Sequence, residues 1–274
     1  MTEPDERLRV LLASAALVPD EIRADWEEYV TRIVADVWER PVLDERQRSI
    51  ITVAGIAALR SPAQLRIEAR HARLNGLSRL ELCEIVMQVA GYLGLAVATE
   101  AMIVLREVFD AEGDAAGEEV PTGHVFPPVT GRQDRAREVL SHLQPHQVDL
   151  IMSHSPEYPM TGGKDRPAVR PDLGWLGWIG DTAFGDFWSR PRLTDEERER
   201  VTTAGLIVLG RRYELRGHFQ ANFSFGFTPE EVAEGILQLG PYIGFPSVVD
   251  VMLLAREVQQ EMLEGEAPAG DPAH

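Results

Sequence analysis

One cysteine, Cys83, occurs in 274 residues, so no intrachain disulfide can form. Its surroundings, ELCEIVMQV from Glu81, form an apolar helical pattern in which a thiol is expected to serve packing, and a reducing compartment suits such a chain. Positive charge is also scarce: 27 Lys and Arg stand against 44 Asp and Glu, a net charge of -17. Nucleic acid and anionic membrane both reward a basic face, so neither is expected as a partner. The opening stretch, MTEPDERLRVLLASAALVPDE, has no basic lead and only a short apolar run, so neither a signal peptide nor a membrane anchor is expected there. A cytoplasmic location is expected. Alternating, strand-like runs are missing as well. Apolar residues recur instead at three and four positions, and the expected class is all-α.

What the chain does contain is a repeat. Displaced by 150 positions, the separation of Trp188 from Trp38, its halves align without a gap. VWERPVLDERQRSIITVAGIAAL from Val37 lies over FWSRPRLTDEERERVTTAGLIVL from Phe187, and further on Gly76 meets Gly226, Gln88 meets Gln238, Tyr92 meets Tyr242 and Gly94 meets Gly244. Self-similarity of this extent is a tandem duplication. Hydroxyl residues three positions ahead of Glu or Gln, at Ser61, Ser78, Thr194 and Thr228, predict capped helix starts. Gly76 and Gly226 predict helix ends. The expected layout is a first domain over 1–112, a linker over 113–131 rich in Gly, Pro and acidic residues, a second domain over 132–264 and a flexible tail over 265–274. Residues 154–180, with several Gly and Pro and two Trp, read either as a loop over a pocket or as the packed lead-in of the second domain.

The stretch FGDFWSRPRLTDEERERVTTAGLIVLGRRYELRGHFQANFSFGFTPEEVAEGILQLGPYIGFP resembles the carboxymuconolactone decarboxylase family. The resemblance rests on W-x-R-P-x-L, E-L-R-x-H, the T-x-E-E that follows a turn of small residues, and P-Y-x-G-F-P; it is strong over 180–262 and weaker over 30–112. It implies an alkylhydroperoxidase-D-like helical domain in two copies, and rings of six such domains. Three tandem chains would complete one ring. The peroxidase-like relatives carry cysteines seven and four residues before the histidine, where this chain has Arg211 and Glu214, and Ser61 and Gln64 in the first repeat. Thiol-based peroxide reduction is thereby excluded.

The decarboxylase branch needs no cofactor, because its substrate is the electron sink; it needs a positioned acid. Glu214 and His218, at i and i+4, share a helix face, where the carboxylate can orient an imidazole for proton transfer. The bland alternative is a histidine bonded to a core carbonyl. Glu199 lies where the peroxidase-like relatives carry a relay glutamate, and its counterpart is Ser49. A second family histidine is replaced by Gln88 and Gln238, so Gln238 is expected to bind substrate but not to titrate. Arg216 would suit a substrate carboxylate, or else a surface ion pair. Tyr242 and Trp188 are candidate pocket walls. In the first repeat, Gln64, Glu68 and His71 at i, i+4 and i+7 form one polar stripe, either a repurposed site or a solvated face. No metal is expected: Glu68-x-x-His71 lacks its second half because Ala221 stands at the other position, and Pro145 interrupts alignment of His142 and His146, with His154 beyond. Two functions remain open. One is a lyase, isomerase or cyclase acting on a small lactone, keto acid or polyketide-like compound. The other is a catalytically silent binding or assembly protein.

Overall fold

The computed structural model describes residues 6–113, 126–128, 130–153 and 174–264. Residues 1–5, the rest of the linker, residues 154–173 with His154, and the tail lie outside the described residues. No strand occurs among those described, and the fold is all-α. The helices are α1 Glu6–Leu12, α2 Arg23–Ile33, α3 Glu45–Leu59, α4 Pro62–Leu74, α5 Arg79–Leu93, α6 Leu95–Glu112 and α7 Arg132–Leu143. They continue with α8 Val148–Met152, α9 Gly174–Thr182, α10 Asp195–Leu209, α11 Arg212–Ser224, α12 Pro229–Ile243 and α13 Phe245–Glu264. One π-helical turn follows α2 at Val34–Trp38 and another follows α9 at Ala183–Phe187. None of the described helices is long and apolar enough to cross a membrane.

Helices α3 to α6 and α10 to α13 are the same four helices in the same order, with bounds displaced by the interval of the sequence repeat. Local signals set those bounds. Ser78 with Glu81 and Thr228 with Glu231 form capping boxes, Thr194 and Glu197 exchange the same pair of bonds, and Asp44 with Gln47 adds a box that the sequence reading did not single out. Ser61 does not cap. It follows Arg60, which turns the chain at φ 56°, and its own ψ of 88° falls far from the 162° of Ser78, so its hydroxyl misses the first-turn N–H groups. Gly76 and Gly226 end α4 and α11 at φ 91° and 87°, a conformation that costs glycine little. The segment 174–180 is helical, within α9.

By packing, the chain divides into one unit of residues 1–118 with 199–274 and another of 119–198. Sequence repeat and packing unit therefore cut the chain at different places. In the first unit α12 of the second repeat packs directly on α3 of the first. A Cβ at Gly55 would stand 2.4 Å from a methyl of Leu239, so the two helices can approach this closely only because position 55 has no side chain. Ile50, Val53, Ala54, Leu82, Ile85, Leu105, Phe219 and Leu239 fill the surrounding core. Through that core runs a polar staple: Arg48 Nη1 donates to Gln238 Oε1 at 2.9 Å, Arg48 Nη2 to Glu234 Oε2 at 3.1 Å, and Gln238 Nε2 to Thr52 Oγ1 at 3.0 Å. Its repeat-related counterpart is the bond from Gln88 Nε2 to Thr202 Oγ1, 3.1 Å. In the second unit α7 packs on α9 and the π turn, with Arg132 paired to Asp186 and Trp188 buried beside Phe184.

Candidate active site

The buried stripe of α11 is Leu215, His218, Phe219 and Asn222, which repeats at three and four positions. His218 thus points inward, toward α10, whose buried residues include Glu199, Thr202 and Thr203. Both carboxylate oxygens of Glu199 lie 3.0 Å from His218 Nδ1. A carboxylate in that position makes Nδ1 the N–H nitrogen and Nε2 the basic one. Thr203 donates to Glu199 Oε1 at 3.1 Å, and Asn222 Nδ2 donates to Thr203 Oγ1 at 3.4 Å. The ring of Tyr92, from α5 of the first repeat, meets the imidazole edge-on at 5.7 Å. A fully buried glutamate that accepts from a threonine hydroxyl and an imidazole is held in one orientation, which is what proton transfer from a fixed direction requires.

The related position in the first repeat is built from different groups. Glu68 occupies the place of His218, and Ser49, in the place of Glu199, donates to the Glu45 carbonyl at 2.7 Å. Glu68 Oε1 accepts from Tyr242 Oη and from Gln64 Nε2, each at 2.8 Å. His71 Nδ1 lies 3.7 Å from Glu68 Oε2, and Trp38 meets the His71 ring edge-on at 4.4 Å. Burial, the negative charge of Glu68 and the bond donated to it hold the Tyr242 phenol well above its ordinary pKa, so it remains a donor. Both Glu68 and His71 are buried, and the stripe is no solvated face.

Several sequence expectations change here. The carboxylate on His218 is Glu199 and not Glu214, which is exposed and makes no side-chain hydrogen bond among the described residues. Equal spacing placed Glu214 at the rim of the buried stripe. Tyr242 does not face His218: it crosses to Glu68, while Tyr92 crosses to His218, so each site draws on both repeats. Gln238 uses both ends of its amide in the staple and is fully buried. Arg216 pairs with Glu257 at 2.9 Å and with Glu261, as Arg66 pairs with Glu107, leaving its guanidinium on the α13 surface. Trp188 belongs to the second packing unit. Thr203 and Asn222 were not anticipated, although each lies one helical turn beyond an anticipated residue, Glu199 and His218. Burial and the charge of Glu84 push the Cys83 thiol up, which keeps it protonated and unreactive. No group of three His, Cys, Asp or Glu among the described residues could hold a metal ion.

The family model for carboxymuconolactone decarboxylases matches residues 24–107 and 174–257. The chain is similar to the 4-carboxymuconolactone decarboxylase of Acinetobacter baylyi, at 42% identity over 85 residues, 31% of this chain and 63% of that protein. It is also similar to the nitrosuccinic acid decarboxylase of Metarhizium robertsii, at 38% identity over 74 residues, 27% of this chain and 52% of that protein. Less than two thirds of either relative is spanned.

Proposed function

Because the chain belongs to the carboxymuconolactone decarboxylase family, whose model covers both of its repeats, we propose that it is a lyase that removes carboxylate from a small acid, with His218 as proton donor and Glu199 as its positioning carboxylate. The observation that carries this reading is the buried contact of both Glu199 oxygens with His218 Nδ1, 3.0 Å each. The bond between the carboxylate carbon and its neighbour breaks, its electron pair stays on that neighbour in conjugation with a carbonyl or similar group, and CO2 departs. Imidazolium Nε2 then delivers a proton to the carbanion, and the ring regains one from solvent. The substrate supplies the electron sink, so no cofactor is required. Lactone acids, keto acids and polyketide-like acids offer such conjugation. Both relatives are named for decarboxylation of small acids, which supports the reaction class over any one substrate.

The same proton transfer could serve isomerisation or cyclisation. A silent assembly protein is the second reading, favoured by one observation: Gln88 and Gln238, where the resemblance places a second histidine, are both spent on bonds to threonines. Mass spectrometry of lactone acids and nitro- or keto-substituted succinates incubated with the protein separates the two. The lyase reading expects loss of CO2 from at least one of them; intact acids throughout, over a folded protein, support the assembly reading.

Self-association is part of the proposal. Leu95 and Ile103 on α6, two turns apart, are exposed apolar residues at the positions related to Phe245 and Leu253 on α13, where exposed Val249 lies between the two. Matched stripes suit a closed ring of three chains with six domains. Light scattering is expected to give about three times the 30.5 kDa chain mass. A monomer at micromolar concentration would end this part of the proposal.

A further inference from the structure

The Glu68 carboxylate is 1% exposed, yet among the described residues no arginine or lysine bonds to it. Its Oε1 is satisfied, whereas its Oε2 has no hydrogen-bond partner among the described residues, and neither has His71 Nδ1. The two orphaned atoms are 3.7 Å apart, too far to bond each other but close enough for one donor nitrogen to bond both. Glu68, Gln64 and Tyr242 line a cavity of about 130 Å³ whose walls include Trp26, the half-exposed Tyr29, and Trp38. Trp26 is fixed there by donating from Nε1 to Ser14 Oγ at 2.9 Å.

We propose that this cavity binds a small organic ammonium ion, its N–H groups directed to the Glu68 carboxylate and its carbon skeleton lying against Trp26, Tyr29 and Trp38. A buried carboxylate is costly unless a cation and hydrogen bonds compensate it, and an ammonium group supplies both at once. Aromatic faces attract the same charge. A dry cavity of about 150 Å³ holds a molecule the size of benzene, which sets the scale of the ligand. One water molecule could bond the two orphaned atoms, but it would leave most of the cavity empty.

The repeat-related positions do not reproduce these features. Leu176 and Ile179 stand at the positions related to Trp26 and Tyr29, Ala221 at that of His71, and His218 at that of Glu68. The duplicated fold thus presents a carboxylate in an aromatic cavity in one half and an imidazole oriented by a carboxylate in the other. The ammonium site and the lyase reading share no residue and stand or fall separately.

Titration calorimetry of the full chain with n-butylammonium, n-butanol and n-butyrate as probes tests the proposal. Saturable binding of n-butylammonium at one per chain is expected, at least about tenfold tighter than n-butanol, with n-butyrate weaker than either. Glu68→Gln, which keeps shape and removes charge, is expected to weaken the ammonium by about tenfold or more and to leave n-butanol unchanged. Should that variant fail to fold, Tyr29→Leu at the cavity mouth takes its place, with an expected loss of about threefold for the ammonium. Equal affinity for n-butylammonium and n-butanol would make the cavity merely apolar. No saturable heat from the ammonium would make it a water site. Either result overturns the proposal, as does an ammonium affinity that survives loss of the Glu68 charge.

Discussion

His218→Gln is expected to lower turnover by about two to four orders of magnitude, the usual cost of removing a general acid or base. Its thermal unfolding should stay near that of the parent, because a glutamine amide can still donate to Glu199 and the ring is lost from only one buried position. Glu199→Gln is expected to fall between the two. The amide still accepts from Thr203, but it cannot offset positive charge on the ring while the ring holds the proton, and either end of it can turn toward Nδ1. Glu214→Gln should be silent, since Glu214 is exposed and bonded to nothing described. Steady-state kinetics on whichever acid loses CO2, with circular dichroism on each variant, read the series. Near-normal turnover by a well-folded His218→Gln protein would make the histidine a structural residue, and a large effect at Glu214 would return the orienting role to it.

The contrast between Glu199 and Glu214 shows where legibility stops. Helix bounds could be read because caps and left-handed glycines are local, and the repeat checks each one twice. Helical spacing says which residues share a face, but not how far that face turns inward. Glu214 and His218 are neighbours on α11, yet the buried stripe is centred on Leu215, His218 and Phe219, and Glu214 falls outside it. The partner of His218 comes from another helix, so no periodicity within α11 could name it; only the family's spacing pointed to Glu199. Tyr92 and Tyr242 illustrate the same limit at longer range. Each sits in a repeated Y-x-G segment, which suggests service to its own half, and each crosses instead to the other because α12 packs on α3. Trp26 and Tyr29 lie where the halves no longer match, so the repeat could not mark them.

Arg48→Ala is expected to destabilise the protein by about 3–5 kcal/mol, the range for removing one partner of a buried ion pair. Arg48 is fully buried and spends its guanidinium on four acceptors: Glu234 Oε2, Gln238 Oε1, and the carbonyls of Arg40 and Leu43 at 2.7 and 3.2 Å. Alanine would orphan Gln238 Oε1 and both carbonyls, and would leave the Glu234 charge to the half-exposed Arg40 alone. Each unsatisfied buried group adds its own desolvation cost. Arg66 is the control. It pairs with Glu107 at 2.6 Å between partners 40% and 48% exposed, where water screens the attraction, and Arg66→Ala should change stability by less than about 1 kcal/mol. Because the four acceptors lie on the turn before α3 and on α12, loss of Arg48 loosens the contact between repeats as well as its own helix. Urea unfolding at constant m-value would measure both variants, with a fall in midpoint for Arg48→Ala several times that for Arg66→Ala. A stability loss under about 1 kcal/mol at Arg48 would mean that hydrophobic contact between α3 and α12, and not the polar staple, holds the two repeats in register.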